Sequence, residues 1–361
     1  MDLITSDLHL VERTWRELPG VRGDAFFALE ALSDIARGHD VDHIALAGDI
    51  FDSPRPSALE VHTFCNWIDQ LLDAGTDVVF VEGQHDRSSR RGPETVHAAW
   101  AALAGCSHVH DKAFIIGKKL AWGLDFQRTD ELPAALERIP ADTEILVCHQ
   151  RWAELGGGSS DPSLGQVPVG TVFTGDLHIH CKKTLVGQYG RFVTAYSPGA
   201  THACSVSEPP SRAVYLLDDH GVITSHPLPS RPIRRYTVAT DRDVEHLLSV
   251  IDEVVAPGHD LPEDIATPVV EVRHGTIPTA ARAVIIAKLQ SRCHLLMRNL
   301  TEEASVVFTT TTAEVPGVDS VLEQLVRTTA SDAETAELAV DLLRRPDALT
   351  ELEASVERLC R

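Results

Sequence analysis

The stretch Val78-Val79-Phe80-Val81-Glu82-Gly83-Gln84-His85-Asp86 runs four apolar β-formers straight into Gly-Gln-His-Asp. A buried strand that ends in an amide, an imidazole and a carboxylate is either the start of a polar loop or one arm of a ligand site. Recurrence decides between them. Four more apolar segments end the same way: "LITSDLH" in Asp7 and His9, "IALAGDIFD" in Asp49 and Asp52, "EILVCHQ" in His149, and "TVFTGDLHIH" in Asp176, His178 and His180. In an α/β sheet the carboxyl ends of parallel strands share one edge, where ligands collect. Buried charge is costly, so five strand ends that gather Asp and His there need a common partner. Carboxylate and imidazole without thiolate suit a hard or borderline divalent ion: Mn²⁺, Mg²⁺ or Fe²⁺. The donors outnumber what one ion needs, so two ions are expected.

Outward from these strand ends, β and α signals alternate. Residues 23–38 carry apolar side chains at helical spacing, and 57–75 form a helix opened by Ser57 and closed by Gly75. Further helices are expected over 93–104 and 130–138, with strands near 113–116, 120–122, 144–148 and 171–174. From 183 to 226 the pattern turns all-β, with a hairpin turn at Asp218–Gly221. Alternation followed by strands predicts a layered α/β sandwich. The Gly/Ser-rich loop 154–166 is read as flexible and inserted, and the Pro-rich break "PLPSRP" at 227–232 as a domain boundary. Beyond it lies a smaller α+β module, 231–312, and an acidic segment with helical patterning, 313–361.

Composition sets limits. The 361 residues are 43% hydrophobic and 24% charged, enough for a substantial core in two domains or one with an appendage. No apolar run approaches the roughly 18 residues of a membrane span, and "MDLITSDLHL" lacks a secretory pattern. Seven scattered cysteines without a CxxC pair suit a reduced, cytoplasmic compartment. A net charge of −21 argues against a protein that grips nucleic acid with its whole surface. It leaves room for local basic loops. Arg87, Arg90 and Arg91 follow His85 directly, and Arg13 and Arg16 follow His9, so two basic loops flank one edge as a DNA backbone would require.

The series Asp-x-His, Gly-Asp-x-x-Asp, Gly-Gln-His-Asp, His and Gly-Asp-x-His resembles the calcineurin-like metallophosphoesterases. "GDIFD", "CHQ" and "YSPGA" look most like the SbcD branch, the nuclease partner of SMC-like ATPases in DNA double-strand-break repair. The resemblance implies a four-layer α-β-β-α sandwich over 1–230, an α+β capping domain over 231–312, and C-terminal helices over 313–361 that dock on an SbcC-like ATPase. It implies a DNA end-processing hydrolase with double-strand exonuclease and single-strand endonuclease activity, most readily with Mn²⁺, working as a homodimer within a heterotetramer. A stand-alone phosphatase or phosphodiesterase on small substrates, and a non-catalytic DNA-end-binding subunit, are the alternatives.

Carried over by position, Asp7 and His9 bind the first ion, and Asp49 bridges both with its two oxygens. Gln84 stands where the family has Asn and binds the second ion with His149. His85 protonates the leaving oxygen. Asp176 replaces the family's first His and His178 matches its second, while an alternative register takes His178 and His180 as the pair. Gln is one methylene longer than Asn, which moves the amide oxygen out by about 1 Å or more. Asp for His adds negative charge, so a retuned second metal site is expected.

Overall fold

The protein is described by a computed structural model covering residues 1–15, 17–87, 104–188 and 190–300. The strand ending in "EGQHD" is β3 (Asp77–Val81). It pairs in parallel with β2 (His43–Ala47) and β4 (Ser107–His108), and β2 pairs in parallel with β1 (Asp2–Thr5). β11 (Arg212–Leu217) and β12 (Ile223–Leu228) extend this sheet beyond β1 in antiparallel fashion. The second sheet has the order β5 (Lys112–Ile116), β6 (Lys119–Leu124), β7 (Ile145–His149), β8 (Thr171–Gly175), β10 (Phe192–Ser197), β9 (Cys181–Val186), with β6, β7, β8 and β10 parallel.

The strand period of two sorts the apolar residues between layers. Ile4, Ala45, Ala47 and Val81 meet Ile145, Val147, Phe173 and Tyr196 between the sheets. Their alternates Leu3, Ile44, Leu46 and Phe80 turn outward onto α1 (Asp24–Gly38) and α2 (Ala58–Asp73). On the far side Leu146, Cys148 and Val172 pack under Leu132, Leu136 and Trp152. Strands buried on both faces read as near-continuous apolar runs, as the sequence shows. The expected four-layer α-β-β-α sandwich is present. α2 opens with a reciprocal capping box between Ser57 and Glu60.

A separate three-stranded parallel sheet, β13 (Ile233–Val238), β14 (Val269–His274) and β15 (His294–Asn299), packs on the helices Asp241–Ser249 and Thr279–Leu289 with its own core. The chain over 227–232 is firmly tied. Arg231, 4% exposed, pairs with Asp24 at 2.6 Å and donates to the carbonyls of Thr267 and Arg22. Trp15 and Val21 pack against Ile233 and Val269, and the described residues form one compact unit.

The loop 154–166 corrects the expectation of a flexible insertion. Leu155 and Leu164 are buried, and Glu154 accepts from the Ser163 hydroxyl and the Leu164 amide. The glycines there hid two anchoring leucines. The expected helix over 93–104 lies almost wholly, and the acidic segment 313–361 entirely, outside the described residues. No helix among the described residues is long and apolar enough to cross a membrane.

Candidate metal centre

Strand ends from both sheets deliver their polar residues to one place, and they do so through strained backbone. Eight non-glycine residues among those described have positive φ, and four are Asp7 (51°), His9 (36°), Asp49 (49°) and Asp176 (79°). Such left-handed conformations cluster where surrounding structure holds a functional side chain in place. The surroundings are specific. Asp7 and His9 donate their amides to the carbonyls of Gly48 and Asp49, locking the β1 and β2 turns together. Asp86, fully buried, accepts from the amides of Ile50, Phe51 and Gly83 and clamps the β2 turn to the β3 turn. Burial and the neighbouring Asp49 carboxylate push Asp86 up to about 7. Two glycines make room: a Cβ on Gly48 would lie 2.2 Å from the His149 ring, and one on Gly83 would lie 2.0 Å from Asp49 Oδ1.

Three overlapping sets of donor atoms result, each within 4.8 Å: Asp7, His9 and His178; Asp7, Asp49 and His149; and His9, Asp49 and His85. Asp49 Oδ2 lies 3.3 Å from His149 Nε2 and 3.7 Å from His9 Nε2, within reach of both rings. Its Oδ1 accepts from the His85 amide at 2.9 Å. Oδ2 thus faces the two rings while Oδ1 is held by the His85 amide. Burial raises the Asp49 pKa, but His149, His9 and His85 outweigh it and hold the carboxyl well below its usual range.

Orphaned acceptors test whether cations fit. His149 lies 2.7 Å through Nδ1 from the Ala47 carbonyl, which can only accept, so the Nδ1–H points there and Nε2 is the atom turned to Asp49, open to a cation once its proton is displaced. Asp7 Oδ2 and Gln84 Oε1 are buried acceptors without a hydrogen-bond partner, and His149 Nε2 faces only the Asp49 carboxylate, 3.3 Å away. Electron pairs gathered in a buried pocket suit divalent cations with oxygen and imidazole ligands.

Gln84 and Asp176 act together. Gln84 Nε2 donates to Asp176 Oδ1 at 2.5 Å, and a carboxylate can only accept, so the amide end is assigned and Oε1 faces inward. Asp176 belongs to none of the sets of three candidate ligands found among the described residues, and its amide donates to Asp7 Oδ1. Asp176 thus holds Gln84 through its carboxylate and Asp7 through its amide. His178 Nε2 lies 3.0 Å from His9 Nε2 and 3.8 Å from Asp7 Oδ1. His180 points elsewhere: it stacks on Tyr215 and bonds to Pro198 and Ser225, so the register ending in His178 is the one that reaches the pocket.

His85 is exposed, its ring edge-on to His9 at 4.9 Å, with Nδ1 3.1 Å from the Asp52 carbonyl. Glu208 was not anticipated. It accepts from His178 Nδ1 at 3.1 Å and from the buried Arg212 at 2.8 Å, an outer carboxylate that fixes the imidazole tautomer. It sits in "SVSEPPSR", a loop with no apolar strand before it to mark it. Arg87 differs from expectation. Its guanidinium donates to Asp125 at 3.0 Å and to the Phe126 carbonyl, 3.7 Å from buried Glu82, so it braces the β3 turn instead of reaching outward. Arg13 is exposed, while Arg16, Arg90 and Arg91 lie outside the described residues.

The profile of the calcineurin-like phosphoesterase family matches residues 3–180. The DNA double-strand break repair protein Mre11 of Saccharolobus solfataricus is 25% identical over 264 residues, covering 69% of this chain and 69% of that protein. Mre11 of Haloferax volcanii is 25% identical over 261 residues, covering 69% of this chain and 57% of that protein. Among solved structures, TT1561 of Thermus thermophilus aligns over 63% of this chain and 98% of its own, at 17% identity and TM-score 0.40. The sandwich, the converging strand ends and the family match agree: this chain carries a calcineurin-like metallophosphoesterase domain and is a hydrolase of phosphodiester bonds.

Proposed function

We propose that the chain is a metal-dependent DNA nuclease of end processing and repair, with exonuclease action on double strands and endonuclease action on single strands. The observation that carries this is the buried convergence of Asp7, His9, Asp49, His149 and Gln84, with the Asp7 and Gln84 oxygens left without a hydrogen-bond partner. Asp7, His9 and His178 would hold one ion, and His149 and Gln84 the other, with Asp49 between them. Mn²⁺ is the preferred metal. When bound, such ions neutralise phosphodiester charge and activate water.

The remaining work falls to the chain's own side chains. His85 keeps Nδ1 on the Asp52 carbonyl, so Nε2 is the atom open to substrate and delivers a proton to the departing sugar oxygen. Asp86 and Gly83 set the height of the His85 turn over Asp49. The likeness to Mre11 proteins supports DNA as substrate. Arg13, Arg90 and Arg91 are proposed to follow its backbone. The module 231–312 is proposed to cap the nuclease domain, and the segment 313–361 to dock on an SbcC-like ATPase in a heterotetramer built on a homodimer. The chain has no Gly-x-x-x-x-Gly-Lys-Ser/Thr of its own to drive an ATP step.

The test is Mn²⁺-dependent digestion of linear duplex and circular single-stranded DNA against p-nitrophenyl phosphate esters, with and without the candidate ATPase. DNA cleavage supports the proposal. Hydrolysis of small esters alone overturns it in favour of a stand-alone phosphodiesterase.

A further inference from the structure

Behind His178 lies another set of donor atoms. Cys204 Sγ, a Glu208 oxygen and a His178 ring nitrogen lie within 4.8 Å of one another. His178 turns Nδ1 toward Glu208 and Nε2 toward Asp7 and His9, so one ring borders both places. His202 backs the thiol: it is buried, its Nδ1 lies 3.3 Å from the Thr201 hydroxyl, and its Nε2 lies 3.9 Å from Cys204 Sγ. A cleft of about 420 Å³, lined by Thr14, Trp15, Asp52, Cys204 and Val206, opens onto the thiol from outside.

We propose that Cys204, Glu208 and the Nδ1 side of His178 form an inhibitory site for a thiophilic divalent cation such as Zn²⁺ or Cd²⁺. It rests on the reading of His178 Nε2 as a ligand of the inner pocket. A thiolate beside an imidazole and a carboxylate selects Zn²⁺ or Cd²⁺ over Mn²⁺ and Mg²⁺. On binding, the thiol proton leaves to solvent and the His178 Nδ1 lone pair goes to the ion. A neutral imidazole has one lone pair. The ring proton that Nδ1 now gives to Glu208 must therefore move to Nε2, which then donates instead of ligating. The inner ion loses a ligand, and Glu208, freed from Nδ1–H, turns its carboxylate to the outer ion. One ring thus serves as the switch between a hard-metal pocket and a soft-metal site.

The test titrates the full chain, metal-free, with Cd²⁺ and reads the ultraviolet thiolate-to-metal absorption in the parent protein, Cys204→Ser and Cys204→Ala. The band is expected in the parent and absent from both variants, whose folding is checked by thermal melting. In Mn²⁺-loaded protein, Zn²⁺ is expected to inhibit hydrolysis. Cys204→Ser should need about tenfold more Zn²⁺ for half inhibition, ~1.4 kcal/mol of binding, with its Mn²⁺-supported turnover unchanged. A band of equal strength in all three proteins, or equal Zn²⁺ sensitivity, overturns the proposal. A Cys204-dependent band in a protein that hydrolyses no phosphodiester keeps the cation site and overturns the proposed function instead.

Discussion

Gln84 Nε2 donates to Asp176 Oδ1 at 2.5 Å, and this bond joins the two positions where the chain departs from its family's pattern. A longer amide alone is a poorly placed ligand with two rotational choices. The carboxylate removes one choice by accepting only from the NH₂ end. It also accounts for Asp at 176: a neutral imidazole there could take either role toward the amide and would leave its orientation open.

The pair should therefore behave as a unit. Gln84→Ala and Asp176→Ala should each weaken divalent-ion binding by roughly 10–100-fold, the usual span for removing a partner of a ligand. The double variant should lose little more than the worse single one. Gln84→Asn alone should lower activity, because the shorter amide no longer reaches Asp176. Mn²⁺ binding by calorimetry checks this, and additive losses would show two independent ligands.

His85 should separate chemistry from metal binding. Its backbone amide, not its ring, holds Asp49 Oδ1, so His85→Asn keeps that bond and both ions. Turnover should fall by ~10²–10⁴-fold, the span for a positioned acid. Metal content and single-turnover cleavage are the measurements; a variant that loses its ions, or keeps full turnover, contradicts the assigned role.

The metal-free protein should lose stability as pH rises. Burial lowers the His149 pKa, but the Asp49 carboxylate outweighs it and raises the group to about 10 from the usual 6.5. Asp86 is raised to about 7 from 3.8. In both cases the folded chain holds a proton that the unfolded chain has released, so stability falls with pH. The Asp86 contribution declines between 3.8 and about 7, and that of His149 between 6.5 and about 10. Mn²⁺ displaces the proton between His149 and Asp49, so its stabilising effect should grow over the same window. Buried His202, lowered to about 4, works in the opposite sense below 6.5, so thermal melts at about pH 7 and 9 with and without Mn²⁺ check the sign; a metal-free melting point that climbs between them would falsify it.

The arginines should fall into two groups. Arg87→Ala should destabilise the fold by ~1–3 kcal/mol, because buried Asp125 loses a charged donor. Replacing Arg90 and Arg91 should leave melting unchanged and flatten the salt dependence of DNA binding by up to about one unit for each phosphate no longer neutralised. Parallel melting and salt-titration series distinguish them, and a shared loss of stability would assign all three to the fold.

Much of the architecture could be read from apolar runs of strand length, because burial on both faces leaves β1, β2, β3, β7 and β8 little choice of residue. The pocket residues were readable for the same reason, since Asp7, Asp49, Gln84 and His149 interrupt those runs at their carboxyl ends. Glu208 was invisible because its role arises from a loop folding back, with no periodicity to mark it. Arg87 misled because an arginine after a catalytic turn looks the same in sequence whether it faces solvent or a buried carboxylate. Residues 154–166 misled through composition: four glycines conceal the fact that Leu155 and Leu164 are the residues that matter there.

The left-handed backbone at Asp7, His9, Asp49 and Asp176 sets a limit on how this enzyme could be improved. Each such residue forgoes on the order of 1–2 kcal/mol relative to glycine. At Asp49, Asp7 and Asp176 the bonds their side chains make offset part of that cost, so glycine at any one of them would relax the backbone and leave a buried donor unpaired. A screen for thermal tolerance alone would weigh only that balance, and would be blind to the pocket.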